Sequence, residues 1–159
     1  MAHIEILAVG KLSQDFLKSG CAEYEKRLRP LLKIKINEIG EERKRGEGPS
    51  AEAAVIEAEG ERILSFLGKR KCEKAALCIE GGRIDSLEFA KYIENSSMTK
   101  GGIVFVIGGS LGLSESVKNA CDRRISISDM TFTHQFARLL LFEQIYRSAA
   151  ISAGIKYHK

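Results

Sequence analysis

Tryptophan is absent from this chain, proline occurs twice, and aromatic residues make up 7% of it. Nothing in that balance suits a collagen-like, fibrous or disordered polypeptide. The four cysteines (Cys21, Cys72, Cys78 and Cys121) include no CxxC pair, and no histidine stands at zinc-finger spacing from them. A metal site is therefore not supported, and the thiols read as small, buried or half-buried groups in a reducing compartment. No apolar run approaches the length needed to cross a bilayer. Met1-Ala2-His3-Ile4-Glu5 also lacks a basic region leading into an apolar stretch, so no secretory signal is apparent and a cytoplasmic location is expected.

What is present fits one α/β domain over residues 1–159, with 44% hydrophobic and 29% charged residues, long enough for an ordinary core. The net charge of +4 is unevenly placed. Beyond residue 122, Arg123, Arg124, Arg138, Arg147, Lys156 and Lys159 face only Asp129 and Glu143, and the rest of the chain cancels. A basic excess beside a candidate site suits an anionic partner such as RNA.

Strand and helix patterns alternate throughout. Ile4–Val9 reads as a strand, Ser13–Leu28 as an amphipathic helix ended by Pro30, and residues 34–39 as a second strand. Residues 41–50, charged and rich in breakers, predict a mobile loop whose Arg43-Lys44-Arg45 either touches a phosphate or is simply solvated. A helix over Ala51–Leu67, a strand over Ala75–Glu80 and a helix over Ser86–Ile93, with Ser86 as N-cap, follow. Ile103-Val104-Phe105-Val106-Ile107 is a run of the kind buried on both faces of a parallel sheet. A short helix over Ser114–Ala120, a strand over Arg124–Ser128 and a final helix over Thr133–Ala153 complete an α/β sandwich with a mostly parallel sheet between helices.

The groups capable of chemistry gather late in the sequence. Gly108-Gly109-Ser110-Leu111-Gly112 follows the strongest strand, where backbone can approach a ligand closely, although the spacing is not that of a dinucleotide fingerprint and a plain tight turn would look the same. Ile127-Ser128-Asp129-Met130-Thr131-Phe132 leaves the last strand without a recognisable turn, either as an ordinary connection or as an irregular loop suited to an adenine-containing ligand. In the final helix His134 and Arg138 lie about 40° apart, and Glu143 about 180° from His134. The remainder of that helix is apolar nearly all round, which implies burial all round and room for a second subunit. Tyr157-His158-Lys159 supplies an aromatic plane, a group titrating near neutrality and a cation, as used to hold an unpaired base and its phosphate.

Together these residues resemble the RlmH family of bacterial ribosomal methyltransferases, within the SPOUT class, and the resemblance runs end to end. It covers Leu7-Ala8-Val9-Gly10-Lys11, Glu23-Tyr24-Glu25-Lys26-Arg27-Leu28, Glu59-Gly60, Phe105-Val106-Ile107-Gly108-Gly109 and Gly112-Leu113. It continues through Met130-Thr131-Phe132, His134, Arg138, Glu143-Gln144-Ile145-Tyr146-Arg147 and Tyr157-His158-Lys159. Each motif is unspecific by itself, and the combination is highly specific.

The resemblance implies a homodimeric enzyme with a C-terminal trefoil knot that uses S-adenosyl-L-methionine, without a metal, to methylate N3 of a pseudouridine in large-subunit (23S) ribosomal RNA. The cofactor would sit among three loops, at Leu77, at Gly108, Gly109 and Gly112, and at Ile127, Ser128, Asp129, Met130, Thr131 and Phe132. His134 and His158 are then candidate bases or orienting groups. Arg138 and Arg147 would meet developing charge or phosphate, and Tyr157 would meet the target base. Thr133 and Lys156 stand where the family usually has proline, the first replaced by a residue able to cap a helix. A chain without an added RNA-binding module is expected to borrow surface from a preformed ribosomal particle. The alternatives are a non-catalytic ribosome-assembly factor and a methyltransferase for another RNA such as tRNA.

Overall fold

The computed structural model describes residues 1–159. Its elements are β1 (His3–Val9), α1 (Asp15–Leu28), β2 (Lys33–Ile39), α2 (Pro49–Leu67), β3 (Glu73–Arg83), α3 (Ser86–Lys100), β4 (Ile103–Ile107), α4 (Glu115–Ala120), β5 (Arg123–Ser126) and α5 (His134–Ser152). The strands form one sheet in the order β2-β1-β4-β3-β5, and every pairing is parallel, so the sheet is parallel throughout.

Side-chain alternation in the two central strands divides the core into two layers. Ile4, Ile6 and Ala8 of β1, with Ile103, Phe105 and Ile107 of β4, meet Leu28, Phe89, Ile93, Leu141, Phe142 and Ile145 from α1, α3 and α5. The intervening residues Leu7, Val9, Val104 and Val106 pack with Ile63, Leu67 and Val117 from α2 and α4 on the other face. Burial on both faces explains why β4 reads as an unbroken apolar run and β1 as one interrupted only by Glu5 after His3. The one charge inside β1, Glu5, is 6% exposed. It accepts hydrogen bonds from Arg70 Nε (2.8 Å) and Nη2 (3.1 Å) and from Asn37 Nδ2 (2.9 Å). Burial pushes its carboxyl up, but the Arg70 hydrogen bonds and charge outweigh it and hold the group below its ordinary value.

Local rules account for the differences from the sequence reading. The N-cap of α3 is Asp85 rather than Ser86, through a reciprocal capping box with Glu88. That helix also runs two turns beyond Ile93, until Gly101 ends it in the left-handed conformation. β3 extends to Arg83 through an irregularity in which both Leu77 and Gly82 pair with Ile125, so residues 78–81 bow out of the ladder. A Cβ on Gly81 would lie 2.5 Å from the Ile125 backbone, so only glycine permits that approach.

The loop of residues 40–48 is fastened at its start, contrary to the mobile reading. Arg62 donates to the Gly40 carbonyl (2.9 Å) and pairs with Glu42, whose backbone N–H donates to Glu59 (3.1 Å).

Candidate active site

Three loops meet beyond the carboxyl ends of β3, β4 and β5, the place where open parallel sheets bind ligands. They wall a cleft of about 1300 Å³. The bulge of β3 supplies Leu77, Cys78, Ile79 and Glu80, and the glycine turn supplies Gly108 to Leu113. In that turn Gly112, at φ +85°, donates to the Gly109 carbonyl (3.1 Å), and its missing side chain would point into open space. A Cβ on Gly108 would lie 2.7 Å from the Gly112 carbonyl carbon, so the turn closes only with glycine there.

The β5–α5 loop adds Ile127, Ser128, Met130, Thr131 and Phe132. Ser128 Oγ accepts from the Met130 N–H (3.0 Å), and its carbonyl accepts from Ser126 Oγ (2.9 Å). Thr133 caps α5 by accepting from the Phe136 N–H (3.2 Å), so the loop enters the helix in a fixed direction without proline.

Every residue assigned to cofactor binding from the sequence lines this cleft except Asp129, whose carboxylate pairs with Arg83 outside it. Apolar side chains and glycine make up most of the lining, hydroxyl and amide groups most of the rest, and Lys118 is its one lysine or arginine. Burial works against the Lys118 charge, but the Glu80 carboxylate more than restores it, so the ammonium is held protonated. Glycine cradle, exposed backbone and apolar walls fit an adenosyl group with an amino-acid tail, and no three His, Cys, Asp or Glu side chains come together as metal ligands.

His134 stands at the cleft on the first turn of α5. Its Nε2 is buried without a hydrogen bond, 3.6 Å from Glu41 Oε1, which leaves Nδ1 as the ring nitrogen with access to the outside. Glu59 lies beneath the glycine turn, 4% exposed, with Oε2 unpartnered, and burial pushes its carboxyl up.

Arg138 requires a correction. Only 4% exposed, it donates to Glu38 (2.8 Å) and to the Gly10 carbonyl (3.0 Å), tying α5 to the ends of β1 and β2. It does not line the cleft; its two terminal nitrogens are taken by those acceptors, and Nε is buried without a partner.

The remaining candidates form a second cluster. Arg147 Nη2 donates to Glu143 (2.5 Å), and Nη1 approaches His158 Nδ1 (3.4 Å). The guanidinium also lies 4.7 Å from the centre of the Tyr157 ring. Tyr157 donates to Glu143 (3.1 Å) and meets Tyr146 edge-on, with ring centres 4.9 Å apart. Contact with the Tyr24 hydroxyl, burial and the Glu143 charge together raise the Tyr157 phenol well above its ordinary value. The tail is thus docked on α5 rather than loose. Thirteen residues separate His134 from Arg147, about 20 Å along the helix, and none of Arg147, Tyr157 and His158 lines the cleft.

Sequence reasoning missed Glu41, Glu59 and Lys118, and with them Ser13, Phe16 and Gln135 on the far wall of the cleft. Glu59-Gly60 was visible as a motif without a role. The others carry no local pattern, since their partners are remote in sequence.

Residues 2–158 match the family model described as "Predicted SPOUT methyltransferase". The chain belongs to the SPOUT methyltransferase family. A protein of Methanoregula boonei is 44% identical over 159 residues, covering 99% of each chain. A Streptococcus pneumoniae (strain CGSP14) protein named ribosomal RNA large subunit methyltransferase H is 42% identical, covering 98% of this chain and 99% of its own. Among solved structures, one described as a probable methyltransferase of Bordetella pertussis Tohama I superposes with a TM-score of 0.55 at 16% identity, covering 93% of this chain and 96% of its own. TrmJ from Z. mobilis ZM4 gives 0.52 at 15%, covering 93% of this chain and 70% of its own. At those identities the likeness is one of fold, and the SPOUT family supplies methyl transfer as the chemistry of the cleft.

Proposed function

We propose that this SPOUT methyltransferase uses S-adenosyl-L-methionine to methylate N3 of a pseudouridine in large-subunit ribosomal RNA. It would act in the cytoplasm as a homodimer on a ribosomal particle, with the three cleft loops belonging to a trefoil knot. The observation that carries the substrate class is the near-complete alignment with a relative named for that RNA. The cleft supports the cofactor: the backbone of Leu77, Gly108, Gly112 and Ile127 to Phe132 would hold adenosine, and Lys118 would meet the carboxylate. When bound, the sulfonium supplies an electrophilic methyl, so the protein's task is alignment and removal of the N3 proton.

His134 is the base that this geometry favours. Its ring lines the cleft with Nε2 3.6 Å from Glu41 Oε1, and a neutral imidazole there would accept the N3 proton. Arg147, near the far end of α5, and Tyr157 and His158, in the tail docked beside it, lie too far away to reach a base beside their own His134. In a dimer they would close the cleft of the other subunit, with Arg147 and Lys159 meeting phosphate.

The test is calorimetric titration with S-adenosyl-L-methionine, followed by transfer of labelled methyl to large ribosomal subunits and to assembled ribosomes. Micromolar binding and one methyl per particle, mapped to N3 of a pseudouridine, are expected. Cofactor binding with label appearing only in free tRNA would overturn the substrate, and no binding with or without particles would overturn the activity.

A further inference from the structure

The cleft has more room than a cofactor needs. Its volume of about 1300 Å³ exceeds the ~300–1,000 Å³ of an ordinary small-ligand pocket, and the three loops account for only one wall. The other wall comes from Ser13 before α1 and from the first turns of α1 and α5, with Phe16, His134 and Gln135, and it meets Phe132 at the end of the third loop. Two features of that wall are open to the cleft. Phe16 is 62% exposed, and Phe132, which packs against Phe136 with ring centres 5.9 Å apart, is still 37% exposed, so two aromatic rings at the cleft keep open surface. Gln135 is held in one orientation: its Oε1 accepts from the Ser13 N–H (2.8 Å) and from Ser13 Oγ (3.1 Å). A backbone N–H can only donate, so the amide oxygen must face it. The Nε2 protons are thereby turned away from Ser13, and the hydrogen bonds of this side chain all run to its Oε1.

We infer that this wall is the pocket for the target base, with Phe16 and Phe132 offering ring surface to the base and Gln135 Nε2 donating to O4, the carbonyl beside N3 that cytosine replaces with an amino group. The inference rests on the proposed RNA substrate and adds the residues that read it. In a uracil-type ring N3 lies between two carbonyls, both acceptors, which a fixed –NH2 recognises. Cytosine offers an amino donor at one of those positions, and two donors facing each other reject it. Stacking would hold any base, so the choice among bases falls to Gln135.

The experiment compares wild type, Gln135→Leu and Gln135→Glu on large-subunit particles carrying either the uracil-type nucleotide or cytidine at the target position. Wild type is expected to prefer the uracil-type target by at least 100-fold. Gln135→Leu should lower kcat/KM on it about 10- to 100-fold, with cofactor Kd within twofold of wild type. Gln135→Glu still accepts from Ser13 but presents an acceptor to the base, and should shift the uracil-to-cytosine ratio by at least tenfold towards cytosine. A purely structural glutamine would depress both substrates equally, and an unchanged ratio in Gln135→Glu overturns the pocket. Failure of the wild type to methylate particles at all would overturn the substrate reading together with it.

Discussion

The two ends of α5 serve in opposite ways. At its first turn the site is made of main chain and apolar surface, fixed by glycine geometry and by a cap. About three and a half turns further on, at Arg147, it is a cluster of charge and aromatic rings, fixed by hydrogen bonds from Arg147 and Tyr157 to one carboxylate, Glu143. A cofactor that recurs in every turnover suits the first kind of site, rigid and shape-selective. The phosphate backbone of an RNA suits the second, which can exchange internal partners for external ones. The helix carries both and keeps them about 20 Å apart.

Removing residues 157–159 should break the comparison most severely. Methyl transfer is expected to fall more than 1000-fold, while calorimetric cofactor affinity stays within about threefold. Retained activity would refute the division of labour. Gly108→Arg should do the converse, abolishing cofactor binding because even a Cβ there collides with Gly112, with the Tyr157 docking detectable as before by fluorescence.

Arg70→Ala acts on neither end. It leaves Glu5 buried without its main partner and is expected to cost about 3 kcal/mol in denaturant unfolding, with the cofactor Kd of the folded fraction unchanged. The same pair fixes the acid limb of stability. The Glu5 carboxyl lies below its ordinary value in the folded state, so below about pH 4.3 the unfolded chain binds the extra proton. That contribution is complete above the unfolded value and disappears as pH falls through the folded one. Arg70→Ala should flatten this part of the pH–stability curve.

Tyr157→Phe is the smallest change. It should weaken tail docking by about 1 kcal/mol and remove a late step from the alkaline tyrosine titration. The raised phenol favours the docked form below the ordinary tyrosine value of about 10. Docking is lost as pH rises through the higher folded value.

Most of the architecture was legible because periodicity marks it. The two-sided burial of β1 and β4 and the amphipathic α1 are written in local apolar spacing. Asp85 and Glu88 were also readable as a capping box, and preferring Ser86 overlooked the reciprocal bond. The C-terminal half of α3 was not legible: Ser96, Ser97 and Thr99 are weak helix formers that instead bond back to carbonyls one turn earlier. At the site, glycines and histidines announce themselves by type. Gln135 gives no such signal, because Ser13, which orients its amide, is 122 positions away. Arg138 misled for a related reason. An arginine beside candidate catalytic groups reads as substrate-binding until its acceptors, Glu38 and the Gly10 carbonyl, are seen.

The place of α5 in the core has a consequence for synthesis. Leu141, Phe142 and Ile145 cover the same layer to which Ile4 and Ile6 belong, and every other element precedes α5 in the chain. While α5 is still inside the ribosome making it, β1 and β4 have one face without its cover, and contacts of such long sequence separation form late. Both ends of the candidate site ride on that helix, so the last element to pack is also the one that carries the chemistry. A nascent chain stalled before it would expose apolar sheet and hold no methylating capacity.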